Sequence, residues 1–201
     1  MSAGQPVQLP LGIKLRDEAT FASYYPGPNA TVLAATRAFA SLQSAVPECC
    51  LFLWGTEGTG RTHLLQAACH ALADEGGLAM YLPLDELADE GPLLLEGMES
   101  VDLLCLDKLE AVVGRPDWEE ALFHLYNRLR EQGGRLLVAA AAAPRALGLK
   151  LPDLESRLGW GLVFQLQPLD DEGKQEVLKL RAAQRGLQLG DDVARYILSR
   201  G

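Results

Sequence analysis

Apolar residues fall into five short runs: Cys50 to Trp54, Leu78 to Leu82, Val101 to Leu106, Arg135 to Ala139, and Leu162 to Leu166. Turn-forming residues bound each run, and several runs are apolar almost throughout, a pattern that predicts strands buried on both faces. The spacers between them are mostly long enough for a helix each. The strands are therefore expected to run parallel in a doubly wound α/β sheet.

From Asp117 the period changes. Trp118, Leu122, Leu125, Tyr126 and Leu129 share one face of a helical repeat. Asp117 with Glu120 predicts a capping box at its start, and Gly133 a left-handed close at its end. After Pro168, Leu169-Asp170-Asp171-Glu172 opens a helix bearing Val177, Leu178, Leu180 and Ala183, with an acidic first turn and a basic tail. A further helix begins at Asp191. These two elements predict a small helical subdomain over residues 168–201.

Composition narrows the class. With 201 residues, 48% hydrophobic and 22% charged, the chain has ample core for a soluble globular protein and resembles neither collagen nor a disordered tail. Its 18 basic and 27 acidic residues give a net charge of −9, which disfavours a protein that works by gripping phosphate backbones. Cys49, Cys50, Cys69 and Cys105 form no C-x-x-C pair and have no nearby histidine to complete a zinc site, and His63, His70 and His124, whose spacing suggests no metal site, are read as structural. A reducing, cytoplasmic setting is expected. No apolar run approaches the roughly 20 residues that a bilayer requires.

The strongest local signal is Gly55-Thr56-Glu57-Gly58-Thr59-Gly60-Arg61-Thr62, between the first run and a helix through His63, Leu64, Leu65 and Ala68. It has the spacing G-x-x-x-x-G-[K/R]-[S/T], in which backbone N–H groups curl around phosphates at a helix N-terminus. The bland alternative is a glycine-rich turn. Arg61 replaces the usual lysine; its planar guanidinium can pair with phosphate but does not place a point charge between β- and γ-phosphates. Thr62 would offer its hydroxyl to Mg²⁺, if Mg²⁺ is bound.

The third run ends in Asp107, which reads either as a Walker B carboxylate supporting the metal or as a polar turn after a buried strand. Lys108 follows, where hydrolysing relatives of this architecture often carry an acid that orients water. A cation cannot be that base and would repel Mg²⁺. Glu110 lies two residues further on. Ala139 to Ala143 stand where a polar γ-phosphate sensor is expected, and alanine cannot hydrogen-bond water. The site therefore looks built for holding a nucleotide, diphosphate or triphosphate, more than for hydrolysing one.

Several segments together resemble the Hda family of DnaA-related regulatory inactivators within the AAA+ class. They are Gln8-Leu9-Pro10-Leu11, Asp17 to Gly27, Trp54 to Leu65, Leu122 to Arg128, and Leu151 to Gly161. The resemblance spans essentially the whole chain. It implies an AAA+ P-loop fold with a five-stranded parallel sheet sandwiched by helices and a truncated helical lid. The expected parts are a flexible clamp-binding segment over residues 1–16, a nucleotide-binding core over 17–167 and a partial lid over 168–201.

The same resemblance implies a bacterial cytoplasmic regulator of replication initiation, associated with the nucleoid through its partners. Such proteins bind ADP, with ATP as the alternative, attach to the DNA polymerase III sliding clamp (its β subunit), and stimulate hydrolysis of DnaA-bound ATP. DNA is reached only through these partners, no membrane is involved, and homo-oligomerisation stays open. Gln8, Leu9 and Leu11 match the clamp-binding element, although Gly12 departs from its longer form; alone, the segment reads as an N-terminal leader. Arg157 matches the arginine finger that acts in trans; alone, it reads as a helix-end ion pair. Tyr24 and Tyr25 match residues near the adenine, with Phe21 as a core anchor in the competing view.

Little intrinsic ATPase activity is expected. The family's sensor 2 position should lie beyond Gly201, which marks the chain as a fragment or truncated product with lowered nucleotide affinity. Arg181, Arg185 and Arg195 do not sit in the sensor 2 context. The alternatives are a self-sufficient ATPase such as a helicase loader, and a DnaA-like initiator fragment, which would need a basic helix-turn-helix module.

Overall fold

The computed structural model describes residues 15–198. Gln8, Leu9 and Leu11, expected from the sequence to bind a clamp, lie outside the described residues.

The chain alternates helices and strands: α1 (Ala30–Ala40), β1 (Cys50–Trp54), α2 (Arg61–Asp74), β2 (Ala79–Pro83) and the single turn α3 (Leu84–Leu87). It continues through β3 (Leu103–Asp107), α4 (Pro116–Gln132), β4 (Arg135–Ala140), α5 (Pro152–Gly159), β5 (Leu162–Gln165), α6 (Asp171–Gln184) and α7 (Asp191–Leu198). The strands form one parallel sheet in the order β2-β3-β4-β1-β5.

Alternation along each strand builds two cores. Phe52, Leu104, Leu106, Leu136 and Val138 meet Trp118, Leu122, Leu125 and Leu129 of α4 on one face. Leu51, Leu53, Leu103, Cys105 and Leu137 meet Phe39 of α1 and Leu64, Leu65 and Leu72 of α2 on the other. This explains the almost uninterrupted apolar runs, because both faces of an inner parallel strand need apolar side chains. β5 is an edge strand, and its side chains alternate between half-buried and exposed.

Four of the five strands shift by one or two residues from expectation; β4 runs one residue further, to Ala140, and β5 stops one earlier, at Gln165. Leu78 is left outside β2, its N–H donated to Asp102 Oδ2 at 2.8 Å, and β3 starts two residues later than its apolar run and extends to Asp107. The capping box expected at Asp117 and Glu120 does not form. Pro116 takes the first helical position, Arg115 is held extended before it, and Asp117 is already inside the first turn. Glu119, 1% exposed, instead ties the turn before α4 to the start of α5, accepting from Gly114 N at 2.7 Å, Lys150 N at 2.8 Å and Leu151 N at 2.7 Å. At the other end Gly133 closes α4 in the left-handed region, φ +76°, as expected. Asp170 caps α6, accepting from Gly173 N at 2.8 Å.

Candidate nucleotide-binding site

The glycine-rich loop leaves the C-terminal end of β1 and enters α2, the strand–loop–helix context that phosphate binding requires. Gly58 and Gly60 have φ of +81° and +90°, values that side chains rarely adopt. A Cβ on Gly60 would stand 2.7 Å from Tyr24 Cε2, and one on Gly55 would stand 2.7 Å from Leu166 O. Thr59 Oγ1 steadies the curl by donating to Thr56 O at 2.8 Å. Gly60, the N-cap of α2, supplies no side-chain cap, so first-turn N–H groups remain for an anion.

Thr62 and Asp107 are brought together. Thr62 Oγ1 donates to Asp107 Oδ2 at 2.6 Å, Tyr81 Oη donates to the same oxygen at 2.8 Å, and Lys108 N donates to Oδ1 at 3.0 Å. This pair could hold Mg²⁺. Lys108 adopts a left-handed conformation, φ +54°, and its ammonium pairs with Asp85, which raises its pKa. The residue after Asp107 is thus a tethered cation, unsuited to activating water.

Arg61 lies mostly buried, and its Nη1 has no hydrogen-bond partner among the described residues. A buried guanidinium N–H without an acceptor fits a phosphate oxygen. Its nearest carboxylate is Glu110, Nη1 to Oε1 3.6 Å; Glu110 Oε2 also accepts from Ala141 N at 3.0 Å. The sequence left the role of Glu110 open, and the fold places it between the phosphate loop and the end of β4.

A cavity of about 360 Å³ opens over the loop. Five cations border it, Arg16, Arg61, Lys108, Arg181 and Arg185, against the carboxylates of Glu18 and Glu57. In a chain of net charge −9, this concentration of positive charge marks an anion site. Arg181 borders it from the last turn of α6 and Arg185 from the capping position just after that helix. A larger opening of about 570 Å³, beside Cys49 and Trp160, contains no residue of the phosphate loop.

Tyr24 packs on the loop backbone, its hydroxyl donating to Thr59 O at 3.3 Å, and burial pushes its pKa up to about 12 against a hydrogen bond with Asn29. Tyr25 lies beside Gly27 and Phe21 is in the core, with Arg37 over its ring. His63 Nε2 is 2.8 Å from Thr20 O and 3.3 Å from Ser23 Oγ. Burial lowers the His63 pKa, the Thr20 bond opposes this, and the charges of Arg181 and Arg16 lower it further.

Arg157 stands in the last turn of α5, its Cζ 5.5 Å from the centroid of the Trp160 ring. β5 starts beside Leu51, near the N-terminal end of β1, whereas the phosphate loop leaves the opposite end. At about 3.3 Å per residue the two are separated by roughly 15 Å, one strand length. The structure does not bring Arg157 to its own chain's phosphate loop.

Residues 15–165 match the model of the bacterial DnaA ATPase domain. The chain belongs to the bacterial DnaA ATPase-domain family. Residues 171–201 match the Hda lid domain, so an Hda-type lid follows the DnaA-type AAA+ core. Domain III of the Thermotoga maritima replication initiation protein DnaA has this fold, with TM-score 0.81 and 23% identity over 92% of this chain and 82% of that one. AMPPCP-bound DnaA from Aquifex aeolicus superposes with TM-score 0.78 and 26% identity over 92% of this chain and 60% of that one. The chain thus spans about three fifths of that DnaA. The DnaC helicase loader shares the fold more distantly, with TM-score 0.55 and 20% identity over 75% of this chain and 98% of that one. Among the described residues no helix is long and apolar enough to cross a membrane.

Proposed function

We propose that this DnaA-family chain is a negative regulator of replication initiation. It holds ADP in the cavity over Gly55 to Thr62, docks on the sliding clamp through Gln8, Leu9 and Leu11, and supplies Arg157 in trans to ATP bound by DnaA. Its place is the bacterial cytoplasm, at the nucleoid through these partners.

The observation that carries the reading is the separation of Arg157 from its own phosphate loop by the length of the sheet. A guanidinium there has no use for the chain's own nucleotide but is free to meet a partner's. Against a γ-phosphate, such a group stabilises charge that develops in the transition state, worth factors of about 10³ to 10⁵ in related NTPases.

The chain's own site supports holding over hydrolysis. The loop N–H groups and Arg61 would grip the β-phosphate, and Thr62 with Asp107 would carry Mg²⁺ where it accompanies the nucleotide. Lys108 pairs with Asp85, and the end of β4 offers only alanines. Little intrinsic turnover follows, with ADP the preferred resident.

The test is DnaA-ATP hydrolysis in the presence of DNA-loaded clamp, with wild type and Arg157→Ala. Loss of stimulation in the variant, with ADP binding retained, is expected. Unchanged stimulation would overturn the finger. A self-sufficient ATPase such as a helicase loader is the competing reading, favoured by the intact Thr62–Asp107 pair. Steady turnover by the purified chain alone would establish it.

A further inference from the structure

Trp160 follows α5 directly and, at 72% exposed, is among the most exposed of the large hydrophobic residues. Trp118, by contrast, is fully buried and Trp54 half-buried. The Trp160 backbone is fixed from both sides. Its N–H donates to Arg157 O at 3.3 Å, and Gly161 after it lies so close to β1 that a Cβ there would stand 2.1 Å from Cys50 O. The indole is therefore presented to solvent by a rigid stem.

Among the described residues the cation that this ring meets is Arg157, whose Cζ lies 5.5 Å from the ring centroid. Among the described residues no hydrogen bond or ion pair engages the Arg157 guanidinium. Arg157 is half-buried, and a guanidinium resting over an aromatic ring still has its N–H donors to offer to an incoming anion. An arginine on a flexible stem loses rotamer freedom on docking, and an aromatic platform removes part of that cost beforehand. An exposed tryptophan beside an unpaired arginine is also the composition that dominates protein interfaces once water is excluded.

We infer that Trp160 is the positioning residue of Arg157: it steadies the guanidinium for its N–H donors to meet an anion and is itself buried against the nucleotide-bearing face of a DnaA-class ATPase. The partner's chemistry follows from those donors, since bidentate N–H donors on an apolar ring suit a phosphate anion rimmed by protein. This inference rests on the proposed trans action of Arg157.

The test uses the full chain with DNA-loaded clamp and ATP-bound DnaA. Trp160→Ala should lower stimulated hydrolysis at saturating chain about five- to thirtyfold, the range of a desolvated cation–π contact. Trp160→Phe, which keeps a stacking face, should recover most of it. Because the residue is exposed, both variants should melt as wild type does. As a second readout, the chain labelled with 5-fluorotryptophan gives a ¹⁹F signal that disappears in Trp160→Phe and so belongs to Trp160. That signal should shift when ATP-bound DnaA is added. Wild-type stimulation by Trp160→Ala, or a Trp160 signal that stays put at saturating partner, would overturn the inference. If Arg157→Ala alone stimulates normally, it is the finger assignment that fails.

Discussion

Arg61 Nη1 lies 3.6 Å from Glu110 Oε1, while the other oxygen of Glu110 holds Ala141 N at 3.0 Å. One carboxylate thus touches both the phosphate loop and the end of β4. It competes with phosphate for Arg61. Glu110→Gln removes that competing charge and keeps an acceptor for Ala141 N. ADP affinity should rise about three- to tenfold, the scale of one partly exposed ion pair. Calorimetric titration with ADP checks this, and weaker binding by the variant would mean that Glu110 holds Arg61 in its gripping pose.

Gly60→Ala should damage fold and site together. The new Cβ would meet Tyr24 Cε2 at 2.7 Å, in a residue with φ +90°. The left-handed backbone alone costs about 1–2 kcal/mol. A fall of several degrees in Tm and loss of ADP binding are expected. Tyr24→Ala added to Gly60→Ala should recover part of the Tm but not the binding, since the backbone penalty remains.

Stability should depend on pH through His63. Its pKa is lowered in the folded chain, chiefly by burial, so the unfolded chain binds the proton more readily. The His63 contribution is therefore fully present above its ordinary value of 6.5 and is lost as pH falls below it, levelling out under the lowered folded value. Urea midpoints measured across that window should decline for wild type. For His63→Gln, which can still donate to Thr20 O, the decline should be shallower. Equal slopes would assign the pH dependence to other groups.

The arginines at the end of α6 should matter to nucleotide affinity. Arg181 and Arg185 border the same cavity as the phosphate loop. Replacing both with alanine should weaken ADP binding about tenfold at low salt, with the deficit shrinking as salt screens them. A deficit that ignores salt would point to a folding defect in the lid, which circular dichroism would reveal.

Much of the fold could be read from the chain because its pattern is local. Leu103 to Leu106 are all buried on two opposed faces, and an uninterrupted apolar run expresses that need directly. The phosphate loop was legible for a similar reason, since its glycines are demanded by consecutive backbone torsions. Thr62 and Asp107 were each legible as supports for Mg²⁺, and the hydrogen bond between them came from the fold. Glu110 and Glu119 were not legible. Each acts on backbone groups about thirty residues away, and only the fold brings those groups within reach. The error at Asp117 was local: Pro116 was passed over, although proline at the first helical position forces the preceding residue to be extended. Arg181 and Arg185 carried a weak signal in their spacing of one turn, but nothing in α6 says which way that face turns.

The separation of Arg157 from the phosphate loop also governs symmetry. A contact that matches the Arg157 end of one AAA+ chain to the loop end of another is heterologous, with different surfaces on its two sides. Such an assembly has polarity, growing as a ring or an open spiral, and an open one always leaves one loop without a finger and one finger without a loop.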